Sequence, residues 1–235
     1  MFADAVARIA ESIFPIFFVQ EQDDQRVMGV CGTGFFVDES GLFVTTDHFM
    51  TPTPPGCTHY YYGKVPDEVC QPAVEIERVA HDAARDIFVG RVPRNYLQPV
   101  ELSDTPVRPG SSVCLSGYPM AVVLGQPGGG FSGNVRRYWQ PTFVIDVTQA
   151  VISTRTYDGY IVQHACLPGM SGGPAFDVEG KVHGMAVATL TRTIPELDGN
   201  ATVVPNGMVI GLEHIRRLIE AAGRRERSQV DHHAS

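Results

Sequence analysis

The chain has 235 residues, 43% of them hydrophobic and 19% charged, a composition that can bury a core and excludes a disordered or collagen-like chain. This length fits one large domain or two small ones of about 100–150 residues. Residues 1–105 hold 16 acids and 7 bases, a net of −9, and the remainder holds 10 acids and 11 bases, a net of +1; no basic stripe marks a nucleic-acid surface. No apolar run reaches the ~20 residues that cross a bilayer. The N-terminus lacks the basic start and small-residue cleavage site of a secretory signal. The expectation is a soluble, cytoplasmic chain with no nucleic-acid or membrane partner.

In chain order, Ala5, Val6, Ile9 and Ile13 fall at helical spacing and predict a short amphipathic helix over Ala3 to Ser12. Short apolar runs follow, at Phe14–Val19, Gly34–Val37, Leu42–Thr45, Val74–Val79, Ile87–Val92, Ser112–Ser116, Phe143–Val147, Gly159–Gln163, Lys181–Val187 and Gly207–Ile210. Turn chemistry separates them at Asp38-Glu39-Ser40-Gly41, Asp177-Val178-Glu179-Gly180 and Pro205-Asn206-Gly207. Many short strands with regular punctuation predict a β-sandwich or barrel. Leu212, Ile215, Leu218 and Ile219 then form a helical stripe, and a polar tail expected to fray begins at Gly223.

Cys31, Cys57, Cys70, Cys114 and Cys166 are odd in number and show no close C-x-x-C pair, which disfavours a disulfide framework. Cys57, His59 and Cys70 match no zinc spacing, so neither a metal nor a cofactor is expected. The stretch Gly125 to Gly133 lacks the Gly-Lys-Ser/Thr ending of a phosphate loop and a following helix; it reads as a mobile surface loop.

Leu167-Pro-Gly-Met-Ser-Gly-Gly-Pro174 encloses Ser171 in three glycines, which lose much backbone entropy on folding. An acyl-transfer nucleophile needs such a surround, because a carbonyl substrate must approach the hydroxyl and backbone N–H groups must point at the developing oxyanion. Gly169 can take the positive φ that turns those groups inward. A tight turn between two strands explains the same glycines. Gly169, Ser171 and Gly173 also spell the α/β-hydrolase elbow, with Asp198 and His214 in the right order, but Gly172-Gly173-Pro174 opposes the helix that this motif requires.

Upstream, Gly32-Thr-Gly-Phe-Phe-Val37 and Leu42-Phe-Val-Thr-Thr-Asp-His48 form an expected hairpin ending in a histidine. His81-Asp-Ala-Ala-Arg-Asp86 places an acid at the entrance of the Ile87 strand. Taken singly, His48 suits a solvated strand end and Asp86 a turn. In the order His48, Asp86, Ser171, at spacings of 38 and 85 residues, the chain resembles the chymotrypsin-like (trypsin-fold) serine proteases, and most nearly the bacterial HtrA-type protease domains without a PDZ domain. The pieces Gly32-Thr-Gly-Phe, Val44-Thr-Thr-Asp-His48, Arg85-Asp86-Ile-Phe-Val, Arg108 to Pro119, Gly169-Met-Ser-Gly-Gly-Pro174 and Asn206-Gly-Met-Val-Ile carry the likeness, which spans roughly residues 13–222.

The resemblance implies an all-β fold of two six-stranded antiparallel β-barrels with short N- and C-terminal helices. Residues 1–105 would hold the first helix and barrel, 106–222 the second barrel and last helix, and 223–235 the polar tail, together one protease unit without a PDZ domain. It implies a serine endopeptidase acting on polypeptides through an acyl-enzyme, with His48 as base, Asp86 orienting it, Ser171 as nucleophile and the Gly169 and Ser171 N–H groups as oxyanion hole. The substrate pocket would be Ala165 with Val187, Thr189 and Gly207, and its lack of an acid selects a small or medium apolar residue. Asp47 stands where the family has alanine, near enough to raise the pKa of His48 or compete with Asp86, and Asp82 is a second candidate acid. Met170 replaces the aspartate that captures a new N-terminus in secreted relatives. The alternative is a catalytically weak or latent trypsin-fold protein used as a binding module, and regulation is expected from a partner protein.

Overall fold

The structure is a computed structural model, which describes residues 1–22, 25–50, 57–61, 74–92, 98–119, 121–125, 131–152, 154–195 and 201–233. Helix α1 (Ala3–Ile9) opens the chain and a single 3₁₀ turn (Ala10–Ser12) ends it. Strands β1 (Ile13–Gln22), β2 (Gln25–Phe36), β3 (Leu42–Thr45), β4 (Cys57–Tyr61), β5 (Val74–Glu75), β6 (Glu77–Asp82) and β7 (Ile87–Arg91) follow. They form one antiparallel sheet in the order β5-β4-β1-β2-β3-β7-β6. The seventh strand, beyond the six expected, is the two-residue β5, where the run from Val74 to Val79 breaks at Ile76.

The second half supplies β8 (Ser112–Gly117), β9 (Val122–Gly125), β10 (Phe131–Asn134), β11 (Tyr138–Ile152), β12 (Arg155–Val162), β13 (Pro174–Phe176), β14 (Val182–Pro195) and β15 (Ala201–Gly211). Six of these close a barrel, β11-β12-β15-β14-β13-β8, while β9 and β10 pair with each other. The glycine-rich stretch is thus flanked by the two strands of a hairpin; residues 126–130 lie outside the described residues. The expected turn at Pro205-Asn206-Gly207 is instead inside β15, opposite Thr191, Leu190 and Thr189. Asn206 spends its side-chain amide on the Gln163 carbonyl, 3.1 Å away, rather than on a local turn.

Burial explains the strands that read as unbroken apolar runs. Phe43 and Phe88 face a cluster with Phe14, Ile16 and Phe36 inside the first unit. Their neighbours Leu42, Val44, Ile87 and Val89 face a second cluster shared with Val182, Met185 and Ile210 of the barrel. Strands covered on both faces lose the polar alternation of a one-sided sheet. Each fully buried Phe or Ile contributes about 1.5–3 kcal/mol. The hairpin turns at Asp38 and Asp177 form as expected. Asp38 Oδ1 accepts the Ser40 and Leu42 N–H groups (2.9 and 3.0 Å), and Asp177 Oδ1 those of Glu179 and Lys181 (2.8 and 3.0 Å). Each ends in a glycine at positive φ, Gly41 or Gly180.

The final helix α2 (Leu212–His233) is longer than the stripe from Leu212 to Ile219 suggests. It continues through Gly223, where the sequence predicts fraying, to His233. One interior glycine costs only about 1 kcal/mol relative to alanine, and the residues after it are mostly helix-compatible. The termini cross over. Helix α1 docks on the barrel, with Phe2 edge-on to Phe176 at 5.9 Å. Helix α2 contacts β6 and β7 of the first sheet as well as β14.

Candidate active site

His48 follows β3 in a short turn, and Asp86 closes the turn that leads into β7. Asp86 is fully buried and holds φ +60°, a conformation that non-glycine residues reach only under surrounding constraint. The constraint is visible: Asp47 N–H donates to the Asp86 carbonyl (3.3 Å) and Thr156 N–H to the Ala84 carbonyl (3.0 Å). The carboxylate then meets His48 twice. Oδ1 accepts the His48 backbone N–H (2.8 Å) and Oδ2 lies 2.8 Å from His48 Nδ1. This geometry assigns the imidazole proton to Nδ1 and leaves Nε2 able to accept. Burial, and after it the neighbouring Asp86 charge, pushes the Tyr157 phenol up to about 12, so Tyr157 stays protonated and donates to Asp86 Oδ2 at 3.1 Å.

Asp47 does not join this pair. Its carboxylate, buried beside Asp86, turns away to His81 Nδ1 (3.1 Å) and Arg155 (4.0 Å). Asp82, the other candidate acid, ends β6, accepts the Arg85 N–H and pairs with its guanidinium (3.1 and 3.0 Å).

Ser171 lies between β12 and β13. Leu167, Pro168, Gly169 and Met170 make a β-turn closed by Met170 N–H to the Leu167 carbonyl (2.9 Å), with Gly169 at φ +94°. Proline second and a positive-φ glycine third define a type II turn. The next two glycines are sterically required. A Cβ on Gly172, at φ +85°, would sit 2.1 Å from the Thr33 carbonyl oxygen, and one on Gly173 would sit 1.9 Å from that of Ser116. Met170, Gly172 and Gly173 N–H groups are spent on the Leu167, Ala186 and Met170 carbonyls. Among the described residues, Gly169 and Ser171 N–H groups donate to no protein acceptor. The Ser171 hydroxyl donates to the Val187 carbonyl (3.1 Å), and no hydrogen bond joins it to His48 among the described residues.

A residue whose role the motif alone did not disclose is Thr33. It is buried and ties β2 to the serine loop: its N–H donates to the Ser171 carbonyl (2.9 Å) and its hydroxyl to the Gly169 carbonyl (2.7 Å), while Tyr118 N–H donates to that hydroxyl (3.1 Å). Its place in Gly32-Thr33-Gly34, a polar residue between glycines on an apolar strand, was the available signal.

The residues expected to line a substrate pocket, Ala165, Val187, Thr189 and Gly207, lie around the segment from His164 to Ser171. Thr189 pairs with Gly207 across β14 and β15. The Thr189 hydroxyl donates to the Cys166 carbonyl (2.6 Å), and Gln140 donates to the Ala165 carbonyl (2.9 Å). A Cβ on Gly207 would meet the His164 carbonyl oxygen at 2.6 Å and Cys166 Sγ at 2.9 Å. Val187 holds the Ser171 hydroxyl through its backbone. Cys31, Cys114 and Cys166 are free thiols, each pushed up to about 12 by burial. The side chains of Cys57 and His59, and all of Cys70, lie outside the described residues, as does Asp198. Among the described residues no group of three or more His, Cys, Asp or Glu could hold a metal. His214, the elbow-motif partner, is paired with Asp158 (2.9 Å) at the start of α2, and a strand rather than a helix follows Ser171. The hydrolase elbow is excluded.

A family model described as a trypsin-like peptidase domain matches residues 32–185. The chain belongs to this family. It is a serine protease of trypsin-like fold. Solved HtrA-type and related protease structures share the fold at low identity. The active form of the Rv3671c protease from M. tuberculosis is 20% identical with a TM-score of 0.62, covering 93% of this chain and 84% of that one. Its inactive form is 19% identical with a TM-score of 0.58, covering 93% and 92%. The HtrA-type protease AlgW with a decapeptide is 16% identical with a TM-score of 0.66, covering 94% and 68%. Among curated proteins no sequence matches the chain. No helix among the described residues is long and apolar enough to cross a membrane.

Proposed function

We propose that this protease is an endopeptidase that cleaves polypeptides through a His48–Asp86–Ser171 triad and an acyl-enzyme. The observation that carries the reading is the double contact of the buried Asp86 carboxylate with His48 at 2.8 Å, beside a serine loop with two unspent N–H groups. A rotation about the Ser171 Cα–Cβ bond releases Val187 and turns Oγ toward His48 Nε2. Oγ then bonds to the substrate carbonyl carbon as its proton passes to Nε2, and the negative oxygen is received by the Gly169 and Ser171 N–H groups. The C–N bond breaks as Nε2 returns the proton to the amine. Water repeats the sequence, giving its proton to Nε2, and Ser171 leaves as the alcohol. Asp86 remains a carboxylate throughout, holding the tautomer and stabilising the imidazolium.

A substrate pocket at Ala165, Thr189 and Gly207, with Val187 contributing its backbone because its side chain is buried in the core, would carry no acid and would suit a small or medium apolar side chain before the cleaved bond. Free Cys31, Cys114 and Cys166 favour a reducing, cytoplasmic setting. A second reading, a latent enzyme held for a regulatory protein partner, is favoured by the resting Ser171–Val187 bond rather than by Asp47. A fluorophosphonate probe decides: labelling of the native chain and none of Ser171→Ala supports the triad. Absence of label on native chain across pH 6–9, with labelling restored by a binding protein, supports latency.

A further inference from the structure

The Asp86 carboxylate is held from both halves of the molecule, and the second half contributes side chains that no motif marks. β12 presents Arg155, Thr156 and Tyr157 in succession to the turn that carries Asp86. Arg155 Nε donates to the Ala83 carbonyl (3.2 Å), Thr156 N–H to that of Ala84 (3.0 Å), Arg155 Nη1 lies 3.6 Å from Asp86 Oδ1, and the Tyr157 hydroxyl donates to Asp86 Oδ2. Two buried carboxylates, Asp47 and Asp86, at 1% and 0% exposure, flank a single guanidinium that is 27% exposed. A buried carboxylate stays charged only when opposite charge and donors compensate for the lost water. His48 alone cannot do this, because the imidazole must also change charge during turnover.

We propose that Arg155 and Tyr157 are positioning residues for the acid–base pair: supplied by the second barrel, they lock Asp86 onto His48, so that docking of the two halves completes the catalytic geometry. The inference rests on the triad reading above. Tyr157 shares Oδ2 with His48 Nδ1, at 3.1 and 2.8 Å, and Arg155 balances the second carboxylate, Asp47, which would otherwise add its field to that of Asp86. Among the described residues, the other charged or titratable groups at this cluster are His81, on Asp47, and the Asp82–Arg85 pair beside the same turn.

Removing the Arg155 charge removes a repulsion felt by the imidazolium and leaves Asp47 and Asp86 less compensated; both effects favour protonated His48. In Arg155→Met the His48 titration, followed by NMR on the full chain, should therefore move up by about one pH unit, discounted for the partial exposure of the guanidinium. The acid limb of kcat/KM should follow it, with kcat lowered roughly tenfold and KM little changed. Tyr157→Phe, which keeps the ring packing, should move both in the same direction by less. Arg155→Lys, retaining the charge, should bring the titration back to within about 0.3 units of the native value even if kcat stays low. An unmoved His48 titration in both Arg155→Met and Tyr157→Phe, with only a fall in thermal stability, assigns them a merely structural role and overturns the proposal. The NMR reading does not depend on turnover, so it stands if the native chain is latent. The triad reading fails separately, by retention of labelling and hydrolysis in Ser171→Ala.

Discussion

Thr33→Val tests whether the serine loop is shaped from the opposite half of the molecule. The substitution keeps a β-branched side chain in β2 and leaves the backbone bond from Thr33 N–H to the Ser171 carbonyl. It deletes a hydroxyl that bonds the Gly169 carbonyl at 2.7 Å and the Tyr118 N–H at 3.1 Å, at a site with no solvent exposure. Both partners would be left without their bond in a place water does not replace, each at about 1–3 kcal/mol. The expected loss is about 2–6 kcal/mol, or roughly 4–24 °C in Tm at the 2–4 °C per kcal/mol typical of this size. Gly169 also loses the anchor of its carbonyl, so its N–H should drift from the position an oxyanion needs. Loss of one such donor costs about 10²–10³ in rate, and a misplaced one should cost about 10–100-fold. Calorimetry gives the first number and the rate of fluorophosphonate labelling gives the second. Thr33→Ser should restore the labelling rate to within a few-fold. A Val variant that melts within about 2 °C of native and labels at the native rate would refute the account of Thr33.

Asp47→Asn and Asp82→Ala should each retain kcat within roughly fivefold, since neither carboxylate contacts His48; Asp86→Asn should lose about 10³–10⁴ in kcat by presenting the wrong tautomer, and a steady-state comparison of the three separates these roles. The Asp177 carboxyl is held below its ordinary 3.8, because bonds from His183, Lys181 N–H and Glu179 N–H outweigh the opposing effect of burial. A group lower in the folded than in the unfolded chain contributes fully above the unfolded value and fades as pH falls through the folded one. The stability gap between native chain and Asp177→Asn, at most about 1 kcal/mol for a partly exposed group, should therefore narrow from about pH 5 to pH 3 in urea titrations. Burial holds the Cys31, Cys114 and Cys166 thiols near 12, leaving about one thiolate in ten thousand at pH 8. Iodoacetamide should spare all three in the native chain and modify them in guanidinium, as read by peptide mass mapping.

Much of the fold was legible because its buried strands repeat simple physics. Leu42–Thr45 and Ile87–Val92 stood out as apolar runs since both of their faces are covered, and the Asp38 and Asp177 turns follow from side-chain acceptors and positive-φ glycines. The outer stretches of β14 and β15 were missed for the converse reason: beyond Ala188 this ribbon is largely exposed, so no apolar alternation marks it. Three-residue β13 is too short to show a period. At the site, Asp86, His48 and Ser171 were legible as motifs, whereas the direction of the Asp47 carboxylate was not, because its partners His81 and Arg155 are 34 and 108 residues away. Arg155 and Tyr157 carried no signal for the same reason.

These long-range contacts share a location. Thr33 of the first sheet shapes the serine loop of the barrel, and Arg155 and Tyr157 of the barrel hold the aspartate of the first half. On the connecting segment, Ser103 N–H donates to the Val182 carbonyl of the barrel and Val182 N–H donates to the Glu101 carbonyl (both 2.8 Å), and the helix at each end of the chain packs across to the other half. A residue of the proposed triad in either half is thus finished by groups from the half that does not carry it. This reciprocity also accounts for the glycines around Ser171. Gly172 stands where the β2 and serine-loop backbones meet, and Gly173 where the serine loop meets the β8 backbone at Ser116. At both places a Cβ would fall about 2 Å from a carbonyl oxygen. The glycine-rich motif is therefore as much a docking requirement as a chemical one, and a chain that kept Ser171 but lost Gly172 should fail first in joining its halves.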